Sequence, residues 1–143
     1  PQQRITDFGH NTEDPDPMHI DPGWAAQHSP YGTTIAFGFL TVSLLTCMAN
    51  DVIARPADEV STLNYGFDRL RLLSPVRVGS RLRGHFVLKA LELRSPTQFR
   101  AVYAVTVEIE GQDKPALVAD WLSVTSLPNP RLPLSAASPV PAA

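Results

Sequence analysis

The first third of the chain has the spacing of short amphipathic helices. Residues 2–11 place apolar side chains on one face of a predicted helix. Residues 19–27 predict a second short helix, in which Asp21 is the N-cap and Pro22 lies in the first turn. Between them, residues 11–17 are rich in turn-forming residues.

A longer apolar segment follows. Thr33 or Thr34 is predicted to cap a helix that runs to about residue 53. Because apolar side chains occur almost all round this helix, the rest of the domain is expected to cover it. The segment includes Cys47, which we expect to be a buried structural thiol rather than a nucleophile. Glycine, serine and threonine interrupt the segment, which is too short and too polar to span a bilayer.

After residue 60 the pattern changes to an alternation with a period of two, which is typical of strands. Four strands are predicted, at residues 62–72, 80–91, 98–110 and 116–126. Consecutive strands joined by short turns favour an antiparallel sheet. The predicted fold class is therefore α+β, with the sheet curled round one long buried helix. An exposed sheet edge can pair with a second copy, so we expect a homodimer or a dimer of dimers.

Composition narrows the possible partners and compartments. The chain has 143 residues, 43% of them hydrophobic, which predicts one domain at residues 1–127. Residues 128–143 are rich in proline, alanine and serine and are interpreted as a mobile tail. A net charge of −2 without any basic run argues against nucleic acid, and no membrane partner is expected. One cysteine excludes an intrachain disulfide and favours a reducing compartment, the cytoplasm.

The segment Asp14-Pro15-Asp16-Pro17-Met18-His19 is the main candidate for chemistry. It places a carboxylate and an imidazole five residues apart in a loop that two prolines stiffen. Such a pair can act on a single water molecule, with Asp14 as the base and His19 as the acid. The alternative is a turn-forming aspartate followed by a partly buried histidine.

The same region contains the oxygen and nitrogen donors of His10, Asp14, Asp16, His19 and Asp21, which suggest a metal site as another alternative. However, the prolines prevent a helical pair of ligands, and the spacing matches no zinc pattern. The sequence therefore predicts no metal.

Several spaced motifs show that the chain resembles the MaoC-like dehydratases, a family of (R)-specific enoyl-CoA hydratases with a hot-dog fold, and within it the NodN-like subgroup. The family motif Gly-Asp-x-Asn-Pro-hydrophobic-His corresponds to residues 13–19. Residues 30–41 are similar to the family's stretch ending in Ala-His-Gly. Further matches lie at residues 64–66, 75–80 and 113–116, so the resemblance covers about residues 2–126.

The resemblance implies a reaction and the residues that carry it. Asp14 and His19 would be the catalytic pair, and Gly38 would offer its backbone N–H to the thioester carbonyl. Ser43 would lie near the site. The implied reaction is reversible syn addition of water to a trans-2-enoyl thioester, which gives the (R)-3-hydroxyacyl product. The substrate would be an acyl-CoA or an acyl-carrier-protein thioester, and no cofactor is implied.

Four more residues are candidates for substrate binding. Asn64 and Tyr65 belong to one of the matched motifs. Arg81 and Arg83 fall on one face of a predicted strand, where guanidinium groups can bind the phosphates of CoA. The alternative for both arginines is a solvated position on the surface of the sheet.

Three positions depart from the family pattern and leave other functions open. Glu13 replaces the family's Gly, Asp16 replaces Asn (Gln in the NodN-like subgroup), and Phe37 replaces His. These changes are compatible with a catalytically silent hot-dog domain that binds an acyl thioester or a partner subunit. A hot-dog thioesterase is less favoured, because the predicted helix has no Asp or Glu between Thr33 and Asn50.

Overall fold

Five helices precede four strands in the structure, a computed structural model that describes residues 1–130. The helices are α1 (Gln2–Asn11), α2 (Pro17–Ile20), α3 (Pro22–His28), α4 (Gly38–Ser43) and α5 (Leu45–Asn50). The strands are β1 (Ser61–Leu72), β2 (Leu82–Ser95), β3 (Gln98–Ile109) and β4 (Leu117–Ser126). Within the described residues, no helix combines the length and apolar character that crossing a membrane requires.

The predicted helix at residues 19–27 is in fact two helices. The Asp16 carboxylate caps α2 by accepting the N–H of Met18, and the Asp21 carboxylate caps α3 by accepting the N–H of Trp24. A capping residue has an extended backbone, so Asp21 ends one helix as it begins the next. Asp21 is thus the predicted N-cap, but of a helix that starts at Pro22.

The four strands form one antiparallel sheet in the order β1-β4-β3-β2, as the alternation predicts. Their helix-facing side chains form the main core. Trp121 is 6% exposed and contacts the rings of Phe67, Phe86 and Tyr103 from three different strands. One strand residue earlier, Asp120 points to the other face of the sheet.

The long predicted helix begins later than expected, at Gly38, and neither Thr33 nor Thr34 caps it. Residues 34–36 are extended instead and pair with residues 76–78. The N–H of Ala36 donates to the carbonyl of Val76 at 2.7 Å, and the carbonyl of Thr34 accepts the N–H of Val78 at 3.0 Å. Backbone groups committed to this pairing cannot also form helical hydrogen bonds.

The central helix is also less buried than predicted. It consists of α4 and α5, separated at Leu44, and its side towards the sheet includes Leu45, which is 1% exposed. On the other side Phe39 is 71% exposed, and Cys47 is exposed rather than a buried thiol. The reason is that the sheet covers one side of the helix and leaves the opposite side in solvent.

The predicted tail at residues 128–143 lies outside the described residues except for its first three positions. The domain boundary after residue 127 therefore stays a prediction.

Candidate active site

The capped helix α2 determines where His19 lies. Asp16 Oδ1 accepts the N–H of Met18 at 2.8 Å, and the carbonyl of Asp16 accepts the N–H of His19 at 3.0 Å. Asp16, which departs from the family motif, thus forms an N-cap as an amide side chain also can. The short helix places His19 in its last turn, facing the segment that leads into α4.

The imidazole of His19 is fixed in one orientation. Its Nδ1 lies 2.8 Å from the carbonyl oxygen of Ile35. Because a carbonyl can only accept, Nδ1 carries the hydrogen, and Nε2 is the nitrogen that can gain or lose a proton. The buried ring of Phe37 packs on the imidazole, with ring centroids 3.9 Å apart and planes inclined by 32°.

His19 borders a cavity of about 240 Å³, which we call the His19 cavity, together with Tyr31, Gly38, Thr41 and Leu72. Gly38 is the first residue of α4, so its N–H has no acceptor within the helix. A Cβ at Gly38 would meet the terminal methyl group of Leu72, which would have to move. The structure therefore brings His19 and Gly38, two of the three predicted catalytic residues, to one cavity.

Asp14 is close to this region but does not border the His19 cavity. Its N–H donates to the carbonyl of Gly9 at 2.9 Å, and its side chain is exposed. A Cβ at Gly9 would lie 2.9 Å from both the Asp14 carbonyl oxygen and the Phe37 ring, so α1 contacts this loop at backbone distance. No hydrogen bond or ion pair joins Asp14 to His19, although both residues are described.

Three of the predicted substrate-binding residues meet at a second cavity of about 400 Å³, which we call the Ser43 cavity. Ser43, Asn64 and Tyr65 border it. The Ser43 hydroxyl donates to the carbonyl of Phe39 at 2.8 Å, as expected of a helical serine that is not a nucleophile. Asn64 Nδ2 donates to Thr46 Oγ1 at 3.4 Å. The two cavities lie beside successive turns of the same helix.

Arg81 and Arg83 are ion-paired on the surface of the sheet. Arg81 bonds Glu110 at 3.1 Å, and Arg83 bonds Glu108 at 2.7 Å. Hydrogen bonds from His85 and then from Arg83 lower the pKa of Glu108. Neither arginine borders the His19 cavity or the Ser43 cavity. Their role in binding CoA phosphates stays a prediction. For this role, each guanidinium would have to bind a phosphate while it is paired with a carboxylate, or exchange one for the other.

The alternative metal site is not assembled. Within residues 1–130, no group of three or more His, Cys, Asp and Glu side chains is arranged to bind a metal ion. Two of the five predicted donors, Asp16 and Asp21, accept backbone N–H groups as helix caps.

The backbone conformation at Glu13 explains why the family motif has glycine at this position. Its φ is +58°, the only positive φ among the non-glycine residues described. This conformation destabilises the folded state by roughly 1–2 kcal/mol when the residue has a Cβ. Glycine removes that strain, but its greater freedom in the unfolded chain lowers stability by about 0.5–1 kcal/mol.

We therefore expect Glu13→Gly to raise the free energy of unfolding by about 1 kcal/mol. Urea denaturation of the variant beside wild type measures this difference. Glu13→Ala is the matched control, because it removes the charge but keeps the Cβ, and it should give no such gain. An equal gain from both variants would assign the effect to the charge.

The residues that hold His19 in place carry no local signal in the sequence. Ile35 supplies the acceptor for Nδ1, and Gln2 and Thr34 hydrogen-bond around it. These partners are far from His19 along the chain, and neither periodicity nor a local motif connects them.

Comparisons with known proteins agree with this architecture. A family model described as "MaoC like domain" matches residues 2–110. Nodulation protein N of Rhizobium meliloti is 44% identical over 130 residues, which are 91% of this chain and 80% of that protein. The 3-hydroxyacyl-thioester dehydratase Z of Mycobacterium tuberculosis is 37% identical over 119 residues, covering 83% of this chain and 78% of its own length.

Solved structures confirm the predicted hot-dog fold. The monoamine oxidase regulatory protein from Archaeoglobus fulgius superimposes with a TM-score of 0.73 at 20% identity, covering 88% of this chain and 82% of that one. The (R)-hydratase from A. caviae superimposes with a TM-score of 0.62 at 22% identity, covering 87% and 85%. At these identities the likeness concerns the fold alone.

Proposed function

The chain belongs to the family of MaoC-like domains, and from this premise we propose that it is a hydratase/dehydratase of acyl thioesters. The proposed reaction adds water reversibly to a trans-2-enoyl thioester and gives the (R)-3-hydroxyacyl thioester. The observation that carries the proposal is the fixed imidazole of His19, whose ring borders the same cavity as the N-terminal glycine of α4. The name of the mycobacterial relative supports the same class of substrate.

Hydration of an enoyl thioester needs a base, an acid and a donor to the carbonyl oxygen. In the proposed reaction Asp14 takes a proton from water as the water oxygen bonds to C3. His19 in its imidazolium form, with a hydrogen on each nitrogen, then delivers the Nε2 proton to C2 and becomes the neutral Nδ1–H form that stays bonded to Ile35. The proton taken up by Asp14 returns to Nε2 through water before the next turnover. In the reverse direction the same two groups exchange roles, with His19 removing the proton at C2.

The thioester carbonyl becomes negatively charged as water adds. We assign its stabilisation to the N–H of Gly38, which opens the helix and has no intrahelical acceptor. A preformed donor at this place is worth roughly 2.7–4 kcal/mol of the barrier in comparable sites. Since every step is a proton transfer or a polar addition, the proposed reaction needs no cofactor.

We assign acyl-chain binding to the Ser43 cavity, which follows the His19 cavity along the helix. Ser43, Asn64 and Tyr65 would contact the substrate there. The thioester would be carried by CoA or by an acyl-carrier protein, and we place the reaction in the cytoplasm because the one cysteine, Cys47, leaves no disulfide to form within the chain.

A catalytically silent domain that binds acyl thioesters is the second candidate. Two observations favour it. The Asp14 carboxylate lies outside the His19 cavity, and Phe37, which replaces the family's His, packs its ring on the imidazole. In this candidate the cavities bind the thioester, but water is not activated.

The two candidates are separated by measuring binding and turnover on the same sample. Purified protein is mixed with crotonyl-CoA, the loss of enoyl-thioester absorbance is followed, and binding of the non-reacting saturated analogue butyryl-CoA is titrated by calorimetry. We expect both turnover and binding. Binding without turnover would support the silent domain, and release of free CoA thiol would indicate a thioesterase.

We also propose that the protein is a homodimer that pairs through β2 (Leu82–Ser95), an edge strand of the sheet. Its exposed apolar side chains are Val87, Leu88, Leu91 and Leu93. An unpaired edge with this composition is an association surface. Sedimentation velocity is expected to give twice the mass of one chain, and Leu91→Lys is expected to give the monomer. A monomeric wild type at micromolar concentration would contradict this arrangement.

A further inference from the structure

We infer that Gln2 is a positioning residue for His19, an inference that rests on the proposed function of that histidine. Gln2 lies in the first turn of α1 and does not border the His19 cavity. Its side chain nevertheless makes two hydrogen bonds that leave α1, one to the backbone of His19 and one to Thr34. Their geometry defines a clamp, consisting of Gln2, Thr34 and the backbone carbonyl of His19.

One end of the clamp is the backbone of His19 in α2. Gln2 Nε2 donates to the carbonyl of His19 at 2.8 Å and also lies 3.1 Å from Thr6 Oγ1. A backbone carbonyl can only accept, so the amide nitrogen of Gln2 must face it. This contact fixes the backbone of the same residue whose imidazole is proposed to exchange the proton.

The other end of the clamp is the extended segment before α4. The hydroxyl of Thr34 donates to Gln2 Oε1 at 2.5 Å, and Thr34 is 0% exposed. The next residue, Ile35, provides the carbonyl that accepts from His19 Nδ1, and its own N–H reaches the carbonyl of Met18 at 3.4 Å. The amide of Gln2 therefore links the backbone of His19 to Thr34, the residue that precedes the Nδ1 acceptor Ile35.

The clamp has a consequence for the protonation of His19. If the two segments separate, the Nδ1···O contact lengthens, and the neutral ring is free to carry its hydrogen on either nitrogen. Only the Nδ1–H form leaves Nε2 as the proton-exchanging atom. Gln2 thus acts on the reaction through His19, by keeping both the tautomer and the position of the ring.

The experiment compares Gln2→Ala with Gln3→Ala. Gln3 is the neighbouring residue on the same helix, is exposed and donates to Asp7 Oδ1 at 2.7 Å, so it is a matched control that removes an amide outside the clamp. The first readout is long-range ¹H–¹⁵N NMR of the histidine rings, which reports the tautomer directly. The chain has four histidines, and the spectrum of His19→Asn identifies the signals of His19.

In wild type and Gln3→Ala, His19 is expected to show the Nδ1–H form. In Gln2→Ala, it is expected to show averaged signals of both tautomers. The second readout is hydration of crotonyl-CoA, where a small displacement of a reacting group lowers kcat by about 10- to 100-fold while KM changes little. An unchanged tautomer together with an unchanged kcat in folded Gln2→Ala would overturn the inference.

Two further variants keep the test decisive if Gln2→Ala does not fold. Gln2→Glu retains an acceptor for Thr34 but loses the donor to His19. Thr34→Val removes the hydroxyl that donates to Gln2 and keeps the shape of the side chain. Both are expected to shift the tautomer, and a wild-type spectrum from both would overturn the inference. The NMR readout does not depend on turnover. A shifted tautomer in a protein that hydrates no enoyl thioester would therefore support the clamp and reject the proposed function.

Discussion

Replacing His19 with asparagine is expected to lower kcat/KM for crotonyl-CoA hydration by about 10²–10⁴-fold, the usual contribution of a positioned acid or base. The asparagine amide can still donate to the carbonyl of Ile35 in place of Nδ1, so the loop should keep its conformation. What the variant lacks is the Nε2 atom that exchanges the proton. Its melting temperature is therefore expected to stay close to that of the wild type.

His28→Asn is the control for this substitution. Its Nδ1 also contacts a backbone carbonyl, that of Trp24 at 3.0 Å, and its ring also packs on an aromatic ring. His28 is exposed and does not border the His19 cavity, so activity should be retained. An equal loss of activity in both variants would mean that the effect comes from packing or stability rather than from proton transfer.

Replacing Asp14 with asparagine is expected to give a second loss of about 10²–10⁴-fold in kcat/KM, since Asn cannot accept the proton from water. The backbone N–H of Asp14 anchors the loop to Gly9, and this contact is unaffected by the substitution. The variant should therefore fold as wild type does, and circular dichroism with steady-state kinetics checks both expectations.

Two neighbouring carboxylates serve as controls for Asp14. Glu13→Gln removes a charge one residue earlier, and Asp16→Asn keeps a side chain that caps α2 equally well. Both variants are expected to retain activity close to that of the wild type. Full activity in Asp14→Asn would exclude Asp14 as the base and would agree with the exposed position of its side chain.

Local patterns in the sequence account for most of the fold. The alternation after residue 60 predicts the four strands within about two residues at most boundaries, since a half-buried strand repeats every two residues. The predicted start of the central helix was wrong because pairing with residues 76–78 keeps residues 34–36 extended. The prediction that Cys47 is buried was also wrong, since apolar composition does not show which face of a helix the sheet covers.

The catalytic roles of the site residues stay predictions, and of the pair Asp14 and His19 only His19 borders the His19 cavity. The motif at residues 13–19 indicates Asp14 and His19, because their spacing is local and two prolines limit the loop. The acceptor at Ile35 and the clamp at Gln2 and Thr34 depend on contacts between distant segments. Such contacts arise only when α1, α2 and the extended segment pack together, so no local pattern reports them.

The most direct test of the proposed hydration is the fate of crotonyl-CoA in ¹⁸O-labelled water, with the products separated by chiral chromatography and analysed by mass spectrometry. We expect (R)-3-hydroxybutyryl-CoA with one ¹⁸O atom at C3, formed by wild type and nearly absent with His19→Asn. Binding of the thioester without any hydroxylated product would contradict the proposed hydration, as would ¹⁸O in free crotonate released together with CoA.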